Sequence, residues 1–197
     1  MTTTRPYHHG NLRSALLEQA ARTIDAGGAG ALSLRQLARD IGVSHAAPRR
    51  HFPDRQALLD AIAEDGFERL GAALAAAVLR AGGAFDARLH ALAQAYIEFA
   101  TQHAALLELM FVVKQREGAE RVRETADRAY ATALRVIAEA QASGELPAGD
   151  PGRVAVVAFA TLQGLASMTT DAMINDAPVR DVVTDVIDQL LDGLRPR

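Results

Sequence analysis

Apolar residues recur at helical spacing along most of the chain, and the alternation typical of strands is scarce. In the first segment one apolar face is formed by Leu12, Leu16, Ala20 and Ile24. The pair Gly27–Gly28 is expected to end that helix, because glycine is favoured just beyond a helix C-terminus. The whole pattern predicts about nine helices, three short ones followed by a bundle. The predicted fold class is therefore all-α.

Two short helices joined by a tight turn follow the first one. Ser33 and Gln36 have the spacing of a capping box, which predicts a helix start. Ser44 is a good N-cap for the next helix, which we expect to run to about Phe52. Together they form a helix-turn-helix pattern. Pro48 disfavours helical geometry in the residue before it, so an irregular first turn is expected.

The rest of the chain is predicted to be a helical bundle. Asp54 is a plausible N-cap for a long helix over about 55–80, and Asp150 with Pro151 predicts another helix start. The other expected helices cover 86–100, 103–113 and 119–142, with a last one that begins at Pro178. The predicted domains are 1–54, which contains the helix-turn-helix, and 55–197, which contains the bundle.

The outer face of the predicted second short helix suits DNA. Pro48 and Phe52, four apart, are expected to face inward. The remaining positions form a basic surface with small residues: His45, Ala46, Ala47, Arg49, Arg50 and His51. Arginine donates two hydrogen bonds to guanine or phosphate, and alanine methyl groups can touch thymine. A hairpin with a solvated charged face is the alternative interpretation.

The charge distribution favours the DNA interpretation. Residues 1–55 hold eight arginines and four acidic residues, a net charge of +4. Because the whole chain has a net charge of −3, residues 56–197 carry −7. A basic segment joined to an acidic body is typical of a DNA-contacting unit attached to something else. The polar N-terminus is neither a signal peptide nor a membrane anchor, so a cytoplasmic protein that does not contact membranes is expected.

Catalysis and cofactor chemistry are not indicated. The chain has no cysteine, which excludes thiol nucleophiles and thiolate metal sites. His8 and His9 are adjacent and close to the terminus, a poor arrangement for a metal site. No zinc-protease, nucleotide-loop or serine-hydrolase motif is found. We therefore expect no enzyme, no metal and no cofactor.

Residues 7–67, from YHHGNLRSALLEQA through HFPDRQALLDAIAEDGF, resemble the N-terminal domain of TetR/AcrR-type transcriptional regulators. The resemblance implies a cytoplasmic homodimer that binds palindromic double-stranded operator DNA and releases it when a small molecule binds the C-terminal bundle. It implies that Arg35 and Arg55 touch phosphates. It also places six residues on the groove-facing helix, and we include Ser44 in this surface: His45, Ala46, Ala47, Arg49, Arg50 and His51. The family commonly has tyrosine at position 49, where this chain has arginine.

The last two helices are predicted to form a dimer interface. The final helix has a continuous apolar stripe that includes Val182, Val186 and Leu190. The helix before it has no ionisable residue from 154 to 170, so all of its faces need cover. A membrane span is disfavoured, because the stretch is short and contains several polar residues. We therefore place Leu162 and Leu165 in the interface as well.

A ligand pocket is predicted among bulky residues of the middle helices, although such residues are more often simply core. The candidate residues are Tyr96, Phe99, His103, Met110, Phe111, Phe159 and Gln163. No carboxylate pair or basic cluster lies clearly inside, so an apolar or weakly polar effector is favoured. Two alternatives stay open: an all-α enzyme or small-molecule carrier whose first helices only pack, and a DNA-binding architectural protein without an effector.

Overall fold

All regular structure in the described residues of this computed structural model, 12–174 and 178–194, is helical, which confirms the predicted fold class. Two 3₁₀ segments, Ala29–Ala31 and Pro48–Arg50, accompany the α-helices. The α-helices are α1 Leu12–Gly27, α2 Leu34–Asp40, α3 Arg55–Ala81, α4 Phe85–Gln102, α5 Ala104–Lys114, α6 Glu120–Ser143, α7 Pro151–Thr170 and α8 Val179–Leu194.

The chain forms two compact units. The first contains the described residues up to Gly66 together with Ala105–Val122. The second contains Phe67–Ala104 and the described residues from Arg123 onward. The predicted domain boundary between residues 54 and 55 lies at the start of α3, whose residues belong to both units, and it stays a prediction.

The core of the first unit contains the apolar faces of α1 and α2 and the first turns of α3. Leu16, Ile24, Leu37 and Leu58 are fully buried there. Helix α1 ends as predicted at its glycine pair, where Gly28 has φ +72° and its N–H donates to Ile24 O at 2.7 Å. Glycine adopts this left-handed backbone without the Cβ clash of other residues.

The segment predicted as the second short helix is not an α-helix, which corrects the sequence analysis. Residues 45–47 form a turn, and the 3₁₀ segment Pro48–Arg50 follows. Proline has no N–H to donate to the carbonyl of Ser44, which instead accepts from Ala47 N at 3.0 Å. The backbone therefore forms hydrogen bonds between residues three apart, such as the one from His51 N to Pro48 O at 3.0 Å. Ala47 itself keeps helical angles, so the expected irregularity does not lie at that residue.

Of the four predicted aspartate and serine caps, the two aspartates are confirmed and the two serines are not. Asp54 Oδ1 accepts from Ala57 N at 2.8 Å, and Asp150 Oδ1 accepts from Gly152 N at 2.8 Å. Ser33 precedes α2 but makes no side-chain cap, so the expected capping box is wrong. Its partner Gln36 instead bonds the carboxylate of Asp40 one turn later.

The second unit is a helical bundle in which α4 packs against both α7 and α8. Its buried residues include Ile97 of α4 and Ile187 and Leu191 of α8. Helix α3 approaches α6 closely at Gly71, where a Cβ would lie 2.9 Å from Ala129 Cα. These contacts hold the aromatic residues of α4, α6 and α7 described below.

Candidate nucleic-acid interface and effector region

A basic surface covers the segment from Ser44 to His51. Pro48 and Phe52 anchor this segment to the core of the first unit. Pro48 is buried and Phe52 is only 2% exposed, so both face inward as predicted. Ala47 is half-buried, and the other residues of the predicted DNA surface are exposed: Ser44, His45, Ala46, Arg49, Arg50 and His51. No acidic residue occurs between Asp40 and Asp54, so nothing in this segment neutralises its arginines.

Three further arginines of the first unit accompany this surface. Arg13 lies over the ring of Phe52, with its guanidinium carbon 5.8 Å from the ring centroid. Arg35 is exposed on α2. Arg55 is exposed as well, and its Nη2 donates to Ala29 O at 2.8 Å, which ties the start of α3 to the 3₁₀ segment between α1 and α2. Arginine has five N–H donors, so the guanidinium of Arg55 keeps others for a phosphate.

Three predicted pocket residues of the second unit, Tyr96, Phe159 and Gln163, lie together with two residues that were not predicted, Phe67 and Tyr130. We define these five residues as the aromatic cluster. The hydroxyl of Tyr96 donates to Gln163 Oε1. Phe159 meets two rings edge-on, with centroid distances of 5.7 Å to Tyr96 and 5.5 Å to Tyr130. Phe67 meets Tyr130 at 6.4 Å. This aromatic cluster therefore joins residues of α3, α4, α6 and α7.

Both tyrosines of the aromatic cluster are held neutral. Burial, followed by the neighbouring phenol of Tyr130, raises the pKa of Tyr96 far above its ordinary value. Burial raises the pKa of Tyr130 in the same way. Both phenols are therefore hydrogen-bond donors at physiological pH. The hydroxyl oxygen of Tyr130 is buried without a hydrogen-bond partner among the described residues.

Tyr130 and Phe67 were missed by the sequence analysis. A signal existed for Tyr130, because it continues the four-residue apolar spacing of Val122 and Ala126 along one helix face. The other predicted pocket residues are not among the five that define the cluster. The rings of Phe99 and His103 meet at a tilt of 58°, with their centroids 5.1 Å apart, and His103 Nε2 lies 3.1 Å from Arg69 Nη2. Met110 and Phe111 belong to the first unit.

Helix α7 exposes an apolar face. Val156, Val157 and Met168 are 67%, 49% and 42% exposed, respectively. Leu162 and Leu165, in contrast, are buried inside the unit, so their side chains are not available to a second subunit. On α8 the predicted interface residues are only half-buried: Val182, Val186 and Leu190. The exposed apolar face of α7 is thus formed by Val156, Val157 and Met168, not by Leu162 and Leu165.

Two family models cover most of the chain. The model described as bacterial regulatory proteins, tetR family, matches residues 16–62. The model described as tetracyclin repressor-like, C-terminal domain, matches residues 89–194, more than half of the chain. The chain belongs to the tetR family. It is therefore a transcriptional regulator by family, with a helix-turn-helix DNA-binding domain and a C-terminal helical domain.

Solved structures agree with the tetR-family assignment. A protein of unknown function from Rhodococcus sp. RHA1 is 49% identical, with a TM-score of 0.90, over 98% of this chain and 100% of its own. The TetR family transcriptional regulator PfmR from Thermus thermophilus shares the fold at 21% identity, with a TM-score of 0.66, over 92% and 99% of the two chains. No curated protein sequence matches the chain.

Regulators of the tetR family bind DNA and effector ligands and act as dimers. In residues 12–174 and 178–194 of this member, no helix has the length and apolar character to cross a membrane. The same ranges contain no group of three metal-ligating side chains. His8 and His9 lie outside the described residues.

Proposed function

We propose that this tetR-family chain is a homodimeric, cytoplasmic repressor that binds palindromic operator DNA and releases it when a small, mainly apolar effector binds. The observation that carries the proposal is the exposed basic segment 45–51, anchored by buried Pro48 and Phe52. A hairpin that only packs needs no such surface, so the carrier or enzyme alternative leaves it unexplained. The proposed function involves no catalytic step.

Direct reading of bases is assigned to Arg50. Its rigid fork can donate two hydrogen bonds to guanine O6 and N7. Arg49 is assigned to phosphate, because the tyrosine common at that position in the family contacts the backbone. Arg35 and Arg55 are assigned to phosphates on either side, and the small side chains of Ala46 and Ala47 allow the segment to approach the groove closely. The two half-sites are expected about one helical turn apart, or a small multiple of it.

The test for DNA reading is a binding-site selection on the wild type and on two single variants. Arg50→Ala should relax the preference at one base pair in each half-site, a loss of roughly 1–3 kcal/mol of discrimination. Arg49→Ala, the matched control from the neighbouring position, should weaken binding to all sequences alike. An unchanged motif with Arg50→Ala would refute the assignment, and a motif changed only by Arg49→Ala would reverse the two roles.

The salt dependence of affinity tests whether the basic surface contacts DNA at all. Operator affinity should fall steeply with salt, since each neutralised phosphate releases a counterion. Arg55→Ala should reduce the slope of log K against log salt by about 1. Binding that is independent of salt would overturn the DNA-binding proposal.

Dimerisation through α7 and α8 is supported by the exposed apolar face of α7. A second copy would remove Val156, Val157 and Met168 from water, which is the favourable term in most associations. The last helix adds Val182, Val186 and Leu190 at the half-buried edge of the same bundle. A two-fold axis would also pair the two basic segments, as a palindromic operator requires.

The dimer test places a charge on this surface. Val157→Asp changes a side chain that is half-exposed in one subunit, so the chain should still fold. An unpaired carboxylate buried between subunits is costly, so the variant should sediment as a monomer at micromolar concentration and bind operator weakly. Ala138→Asp, on the exposed side of α6, is the control and should remain dimeric. A monomeric wild type, or a Val157→Asp dimer, would contradict the proposal.

A further inference from the structure

We propose that the effector is an uncharged aromatic molecule with a carbonyl-type hydrogen-bond acceptor, held by the Tyr130 hydroxyl and the Gln163 amide in the aromatic cluster. This inference rests on the proposed effector response and names the chemistry of its site.

The hydroxyl of Tyr130 is the first observation. Its oxygen is buried, yet no described residue accepts or donates a hydrogen bond there. A buried hydroxyl without a partner is unfavourable compared with one in water. In native proteins such a group calls for a specific explanation, and a ligand acceptor supplies one.

The second donor comes from Gln163. Its Oε1 is occupied, because it accepts from the hydroxyl of Tyr96. The two N–H groups of the same amide remain, since no described residue accepts from its Nε2. Phe159 contacts both Tyr96 and Tyr130 by its ring, so the Gln163 amide and the Tyr130 hydroxyl lie around one aromatic wall. Donors without acceptors favour a ligand oxygen that only accepts.

The aromatic cluster suits a flat, apolar body. Phe67, Tyr96, Tyr130 and Phe159 supply four rings in edge-on contacts. Tyr130, Phe159 and Gln163 keep partial exposure, whereas Phe67 and Tyr96 are buried. The accessible side of the cluster is therefore formed by these three less buried residues. Aromatic ligands interact favourably with rings in such edge-on and offset geometries.

An uncharged acceptor is favoured over a carboxylate. Helix α7 has no ionisable residue between Val154 and Thr170, which includes the Phe159 and Gln163 positions. The contacts of Tyr96 and Tyr130 are with the Gln163 amide and with aromatic rings, none of which carries a positive charge. A carboxylate would lose its hydration there without gaining a charged partner. A ketone, quinone or lactone oxygen loses far less hydration free energy than a carboxylate when it is buried.

The binding test uses matched probes on one ring system. Binding of 9-fluorenone, fluorene and 9-fluorenecarboxylate is measured by calorimetry on the free full-length protein, and the smaller pair 1-indanone and indane is measured in parallel. At least one ketone should bind about 10-fold more tightly than its hydrocarbon, and the carboxylate should bind most weakly. Equal affinity for ketone and hydrocarbon in both pairs would overturn the proposal, and so would preferred binding of the carboxylate.

Two variants then locate the contact. Tyr130→Phe removes only the hydroxyl oxygen and should lower ketone affinity about 2- to 10-fold, with hydrocarbon affinity unchanged. Tyr96→Phe is the matched control, because its hydroxyl is already used by Gln163. Without ligand, Tyr130→Phe should leave the thermal midpoint unchanged or raise it, whereas Tyr96→Phe should lower it. A midpoint that falls equally in both variants, with unchanged ketone affinity, would show a purely structural role and refute the proposal.

Failure of this inference is distinguishable from failure of the proposed function. Calorimetry on the free protein needs no DNA, so ketone binding without DNA release would contradict only the regulatory proposal. Operator binding that is released by a charged compound, with no preference for the ketones, would contradict only the inference about effector chemistry.

Discussion

The substitution Gly71→Ala should destabilise the protein, although alanine is the better helix former. Gly71 lies within α3, where alanine is favoured by about 1 kcal/mol per residue. The added Cβ, however, would lie 2.9 Å from Ala129 Cα and 3.3 Å from Ala129 Cβ. Relief of the first contact requires a shift of the α6 backbone, and overpacking of this kind costs about 1–3 kcal/mol. Because backbone must move, we take the upper part of that range, about 2–3 kcal/mol, and after the gain in helix propensity we expect a net loss of about 1–2 kcal/mol.

Gly66→Ala is the matched control on the same helix. It gains the same helix propensity, but its Cβ would lie 2.6 Å from Met110 Sδ and 3.0 Å from Met110 Cγ, which belong to a flexible side chain and not to backbone. Methionine has three rotatable bonds beyond its Cα and adapts its shape at low cost. We therefore expect Gly66→Ala to be at least about 1 kcal/mol less destabilising than the Gly71 variant.

Urea unfolding followed by circular dichroism at 222 nm measures both variants, at one fixed protein concentration because dimerisation would contribute to stability. The Gly71 variant should unfold about 0.5–1 M earlier in urea, for a slope near 2 kcal/mol per molar. A midpoint at or above that of the wild type would refute the close approach of α3 and α6. A larger loss for Gly66→Ala would refute the distinction between backbone and side-chain neighbours.

Two further predictions concern ionisation and capping. The Tyr7→Phe variant leaves Tyr96 and Tyr130 as the tyrosines of the chain. Its absorbance at 295 nm should show no ionisation of either phenol up to about pH 11 while the chain stays folded, because burial disfavours both phenolates. A phenol that titrates near pH 10 in the folded protein would refute their burial. Asp150→Ala should lower the free energy of unfolding by about 1 kcal/mol and the thermal midpoint by about 2–4 °C, since the Gly152 N–H loses its acceptor. The control Asp192→Ala, at an exposed position, should change the midpoint little. An equal effect of both substitutions would contradict the cap.

The sequence was sufficient wherever the deciding interactions are local. Helical periodicity predicted the all-α class because an apolar face repeats within one helix and needs no knowledge of its partner. The caps at Asp54 and Asp150 and the stop at Gly28 depend on residues within three or four positions, and all three are present. Inward placement of Pro48 and Phe52 followed from their four-residue spacing alone.

Local signals failed where two of them compete. Ser33 with Gln36 has the capping-box spacing, but Gln36 bonds Asp40 in the next turn instead. Ser44 is a residue type favoured at N-caps, but Pro48 has no N–H to donate to the Ser44 carbonyl. That carbonyl accepts from Ala47 N instead, which forms a tighter turn. The sequence shows each alternative, and the energy difference between them depends on the surrounding fold.

Only the tertiary structure decided which residues meet across helices. The apolar sequence of α7 predicts that every face needs cover, and packing against α4 and α8 determines that Leu162 is buried while Val157 is exposed. Tyr130 lies 34 positions after Tyr96 and 29 before Phe159, so no local pattern joins them. Their proximity, and the unpartnered hydroxyl of Tyr130, arise because α4, α6 and α7 pack in one bundle and exclude water from that oxygen.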